Sequence, residues 1–240
     1  ALALGAQGQT AVTWDANNGA DPNDGSGTWV TGGNGWWNGS ANVDWAASDI
    51  ATFGAGTDGI YAITVGGASS CGNPLTFNNS AYTLGAASAT EITFGGTISV
   101  AANKSATIGT NVTLTRSGGF SVSGGGILNI SGSGATFKNT SGNSSTIGNG
   151  TTVNVLSGGT CQNTGSSASS LIIGDTVGGT LNVNGGAVTV QGNFILNNSG
   201  SGFGSVTLTN GGSISLTTVG NAVRFGGTGG SGTLNLDGGT

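Results

Sequence analysis

Residues 179–186 read Gly-Thr-Leu-Asn-Val-Asn-Gly-Gly. Successive side chains of an extended chain point to opposite faces, so Leu181 and Val183 share one face and Asn182 takes the other. The Gly pair Gly185-Gly186 then supplies residues that turn a corner at positive φ without steric cost. The unit returns along the chain as Leu128-Asn129-Ile130, Val153-Asn154-Val155, Val206-Thr207-Leu208 and Leu234-Asn235-Leu236. In chain order the five units start 25, 28, 25 and 28 residues apart. Gly158-Gly159, Gly211-Gly212 and Gly238-Gly239 follow three of them. A second element recurs between the units as Ile147-Gly148, Ile173-Gly174 and Phe225-Gly226.

A period of this size, with two or three short strands in it, is one coil of a solenoid. The fold class expected is all-β, a parallel β-helix (β-solenoid). Stacking places Leu128, Val153, Leu181, Val206 and Leu234 in one apolar column, with Ile130, Val155, Val183, Leu208 and Leu236 beside them. It also places Asn129, Asn154 and Asn182 in a polar column, broken by Thr207 and resumed at Asn235. Stacked Asn side chains can hydrogen-bond along such a ladder at a strand spacing of ~4.7–4.8 Å. An antiparallel sandwich would show regular strand–turn–strand units with Asn-Gly or Asp-Gly turns. Here the matched strands stand one coil apart and share identity at matched positions.

Composition points the same way. The chain has 240 residues, of which 51 are Gly, and helix formers are scarce. Charged residues make up 5% of the chain, against roughly 25% in ordinary soluble domains. Solubility must therefore come from Ser, Thr, Asn and backbone amides. Four Lys and Arg against nine Asp and Glu, with no His, give a net charge of −5. A nucleic-acid partner is excluded on that basis, because phosphate binding needs clustered cations. No apolar run reaches the ~20 residues of a membrane span.

The composition shifts near residue 85. All five tryptophans, Trp14, Trp29, Trp36, Trp37 and Trp45, precede residue 46, and six of the nine acids precede residue 60. We divide the chain into an N-terminal strand or export remnant (1–12), a Trp-rich N-terminal β cap region (13–85) and a solenoid of about six coils (86–240). A solenoid end exposes apolar core and unpaired strand edges, and the tryptophans are read as its cover. The competing use of these rings is a sugar-stacking platform, which would make surface glycans a partner.

The chain resembles the autotransporter-associated β-strand repeat proteins and related Gly-rich exported bacterial β-helix proteins. The residues that carry the likeness are Thr13-Trp14-Asp15, Gly27-Thr28-Trp29, Trp36-Trp37-Asn38, Trp45 and Asp49-Ile50-Ala51-Thr52-Phe53-Gly54. Tyr61-Ala62-Ile63-Thr64-Val65, Leu75-Thr76-Phe77-Asn78-Asn79 and Tyr82-Thr83-Leu84 continue it, and the later repeats follow a loose Gly-Gly-Thr-Leu-x-Val pattern. The resemblance implies export, a right-handed parallel β-helix and display at the cell surface.

Catalytic chemistry finds little material. After residue 85 the acids are Glu91, Asp175 and Asp237 and the bases are Lys104, Arg116, Lys138 and Arg224, with no pair at i, i+2 or one coil apart. No catalytic residue and no cofactor is expected. Asp15, Asp21 and Asp24 lie in an oxygen-rich stretch, but it lacks the sixth-position Gly and closing Glu of a calcium loop. It is read as an acidic exposed turn, with no metal site. Cys71 and Cys161 stand about three and a half coils apart, roughly 15 Å or more along the axis. No bond between them is expected in a straight solenoid; a fold-back of residues 60–85 would restore it.

The residues at the two ends suggest a function. Leu234 to Thr240 offer an open coil edge, a template for another strand. Leu2 and Leu4 alternate with alanine and form a candidate assembly strand. The expectation is an extracellular, non-enzymatic structural protein. Its partner is itself, joined head to tail in a contact that does not close and therefore makes a filament. The rivals are a monomeric displayed adhesin and a carbohydrate-binding module.

Overall fold

A computed structural model describes residues 9–47, 49–67, 69–198, 201–226 and 230–240. All regular structure in it is β-strand, arranged in three sheets of eleven, nine and seven strands. A typical coil contributes one strand to each sheet. Val112–Arg116 lies in the seven-strand sheet, Ser121–Ser123 in the eleven-strand sheet and Ile127–Ile130 in the nine-strand sheet. Each strand then pairs in parallel with its counterpart one coil on, as Ile127–Ile130 does with Thr151–Leu156. The seven-strand sheet fixes the number of complete three-sided turns at seven.

The register is that of the sequence repeat. Leu128 faces Val153, Val153 faces Leu181, Leu181 faces Val206 and Val206 faces Leu234. The column runs back through Ala106 to Tyr82. On the eleven-strand sheet Ile98, Val122, Ile147, Ile173 and Leu196 form the equivalent column. On the seven-strand sheet it is Ile92, Leu114, Phe137, Cys161 and Val188. All fifteen of these core positions from Ala106 to Val206 and across the other two sheets are buried to within 1% exposure. Three dry columns facing one axis are what three-sided stacking of period-2 strands produces.

The corners show why Gly follows each repeat. Gly158, Gly185, Gly211 and Gly238 have φ of 77°, 72°, 75° and 73°. At Gly158 a Cβ would also meet the Gly132 carbonyl carbon at 2.9 Å. Asn takes the same left-handed conformation at Asn111, Asn149 and Asn210, where its short polar side chain tolerates it.

The boundary expected at residue 85 is not a break in the sheets. Tyr61–Val65 pairs with Tyr82–Gly85, which pairs with Ser105–Ile108. The compositional shift changes the filling of the interior instead, from aromatic to aliphatic. Trp14, Trp29, Trp36, Trp45 and Phe53 pack at the N-terminal end with ring centroids 4.7 to 5.9 Å apart, many of them edge to face. Here alone among the described strands the pairing turns antiparallel. Ala11–Trp14 lies parallel to Ile50–Phe53 on one side and antiparallel to Trp36–Trp37 on the other, and Trp36–Trp37 pairs antiparallel with Asn42–Val43.

Candidate functional site

The two ends of the solenoid differ. At the N-terminal end Trp14, Trp29, Trp36 and Trp45 are 1 to 2% exposed. The Trp14 indole donates to the Gly25 carbonyl and the Trp45 indole to Ser69 Oγ, both at 2.9 Å. These four rings cannot offer a face to a sugar, so the stacking-platform reading of the cluster fails for them. They cover the first coil.

At the C-terminal end the last described strands of the three sheets are Ser213–Leu216, Val223–Phe225 and Ser231–Asp237, and Thr240 hydrogen-bonds along the first of them, accepting from the Ile214 amide at 2.9 Å. Between them lies an apolar depression of about 320 Å³ floored by Phe194, Leu208, Ile214, Leu216 and Leu234. Val223 and Leu236, both exposed, complete its lining. The inward column that buries Leu128, Val153, Leu181 and Val206 continues to a partly buried Leu234, with Leu236 exposed beside it. Leu2 and Leu4, the candidate assembly strand, lie outside the described residues.

The Asn ladder is present. Asn154 Nδ2 donates to Asn129 Oδ1 and Asn182 Nδ2 to Asn154 Oδ1, each at 2.9 Å. Thr207 and Asn235 continue the rank in register. A second Asn network escapes a reading based on the repeat unit alone. Asn139 and Asn163 are neighbours in register on the seven-strand sheet and are fully buried. Asn163 Oδ1 accepts from Asn139 Nδ2 and Ser145 Oγ at 2.8 Å, and its Nδ2 donates to the Ser169 carbonyl at 2.7 Å. The signal in the sequence is their 24-residue separation, one coil.

The acidic N-terminal stretch does not converge. Asp21 is exposed, whereas Asp15 and Asp24 are buried. Asp15 Oδ1 accepts the amides of Asn17 and Asn23, holding its own loop. The Asp24 carboxylate accepts from the amides of Ala55 and Thr57, from Asn79 Nδ2 and from Tyr82 Oη. Reading this stretch as an exposed acidic turn is thus corrected for Asp15 and Asp24, which are internal fasteners. Burial opposes ionisation of Asp24, but the hydrogen bonds from Tyr82, Thr57, Ala55 and Asn79 outweigh it and hold the carboxyl below 3.8. Burial, and then the Asp24 carboxylate, push the Tyr82 phenol upward. Among the described residues no three of His, Cys, Asp and Glu come together as metal ligands.

The scarce charges do pair, though two coils apart and not one. Lys138 Nζ lies 3.6 Å from Glu91, and Lys104 pairs with Asp58. Cys71 and Cys161 are free, buried and on different columns of the seven-strand sheet. Comparison with protein-family models, with curated proteins and with solved structures finds no match.

Proposed function

We propose that this chain is an extracellular structural protein that stacks end-on into a surface fibre. The observation that supports the reading is the solenoid itself, whose coils pair edge to edge in parallel along all three sheets and so form a stack that further coils can extend. Another coil of backbone extends the three sheets and buries Leu236, Phe225 and Val223 as the earlier coils bury their equivalents. The weak charge of the chain opposes such stacking little. The export part of the reading rests on the resemblance to exported β-helix proteins.

Electron microscopy and light scattering of the purified 240-residue chain test the proposal. Ordered rods longer than one solenoid are expected. Leu236→Asp combined with Val223→Asp should leave monomers, since both side chains sit at the exposed rim and the fold does not depend on them. A chain that is monomeric at every concentration overturns the fibre. Rods that persist in the double variant overturn the C-terminal contact. A version lacking residues 1–8 asks whether the partner strand comes from the segment that holds Leu2 and Leu4.

A further inference from the structure

The outer surface of the nine-strand sheet is a regular grid of uncharged hydrogen-bonding groups. One rank is Thr107, Asn129, Asn154, Asn182, Thr207 and Asn235, matched residue to residue across six successive strands. A second rank, two residues away on each strand, is Ser105, Ile127, Thr152, Thr180, Ser205 and Thr233, polar except at the exposed Ile127. Within a rank the repeat is the strand spacing, about 4.7–4.9 Å, and between ranks it is about 6.5–7 Å. The Asn side chains are fixed by their mutual hydrogen bonds. Side-chain ladders of this kind are what hold a sheet flat against its natural twist.

The face carries almost no charge: among its described strands only the last, Ser231–Asp237, holds a charged residue, the exposed Asp237. No strand of this sheet from Gly27–Trp29 through Phe203–Thr209 contains Asp, Glu, Lys or Arg. Arg116 and Lys138 lie on the seven-strand sheet and Arg224 on the eleven-strand sheet. An anionic partner therefore has nothing to bind here. Neither does a sugar polymer find aromatic rings to stack on. Four of the five tryptophans are interior, and Phe203 stands singly at the margin of the face.

A single hydroxyl contact contributes almost nothing in water, because it only exchanges one hydrogen bond for another. A rigid array is different: the first contact brings the others within reach at high effective concentration. A flexible ligand loses that gain in ordering itself. The partner that fits is uncharged, crystalline and hydrogen-bonding, with a short fixed repeat in two directions. We propose that this face binds ice, ordering water along its two ranks. The proposal is independent of fibre formation, since it uses the side of the solenoid and not its end.

The test is ice-crystal shaping, thermal hysteresis and inhibition of recrystallisation by the purified chain. Wild type should be active. Thr180→Lys and Thr233→Lys should each lower activity at least tenfold, and Thr136→Lys, on the seven-strand sheet, should leave it unchanged. Thr233 is exposed on the last strand, so its variant keeps the fold even where Thr180→Lys does not. Absence of any effect on ice by wild type overturns the proposal. So does equal loss in Thr136→Lys, or binding to microcrystalline cellulose or chitin without an effect on ice.

Discussion

Asp24 gathers hydrogen bonds from four residues, joining 55, 57, 79 and 82 to the cap. Its folded pKa lies below the ordinary 3.8. Such a group contributes stability that is fully present above 3.8 and is lost as the pH falls through and below that value. Tryptophan fluorescence should therefore report acid loosening of the cap in that range, since the Trp14 indole is bonded to Gly25 beside Asp24. Asp24→Asn should remove this acid dependence and cost about 1.5–3 kcal/mol at neutral pH, the range for a hydrogen bond to a charged group. Asn163 makes a parallel case without charge. Asn163→Leu removes three buried hydrogen bonds at once, those from Asn139 Nδ2 and Ser145 Oγ and the one to the Ser169 carbonyl. It should cost clearly more in chemical denaturation than Asn154→Leu, whose ladder position is only half-buried.

At the scale of the coil, three aliphatic columns and a corner decide stability. Leu181→Ala should cost about 2–5 kcal/mol, and Leu181→Asp should abolish the cooperative melt, because a buried unpaired charge is far costlier than a cavity. The corners separate two contributions. Gly211→Ala meets only the left-handed backbone penalty, since φ is 75° and nothing lies within 4 Å of the added Cβ. That is about 1 kcal/mol. Gly158→Ala adds a contact of 2.9 Å with backbone and should cost measurably more in the same denaturant titration. The repeat unit made both corners readable. It gave no sign of which corner is crowded, because that depends on the neighbouring coil.

The described residues form a one-dimensional stack whose interior is aromatic toward the N-terminus and aliphatic toward the C-terminus. Burial pushes the Cys71 and Cys161 thiols up to about 12. Both should therefore resist a thiol reagent at neutral pH in the native state and react together once the stack unfolds. Salt should shift the melting temperature little. The two ion pairs, Lys104 with Asp58 and Lys138 with Glu91, are partly exposed and contribute at most modestly.

Strand period, repeat length and Gly corners are local properties of the chain. They determined the solenoid, its inward columns and the Asn ladder before any coordinate was known. Side-chain alternation leaves only one face for Leu181 and Val183, and the recurrence of the Leu-Asn-Val unit leaves only one register. What the tertiary structure alone decided is long-range. It brought Asp24 to Tyr82 across 58 residues. It carried parallel ladders through the Trp-rich region, and it turned one sheet antiparallel at the N-terminal end. It also set Asn139 on Asn163 in the dark of the core. These contacts depend on which coil lies beside which and on how the first coil is covered, and neither is encoded within a single repeat.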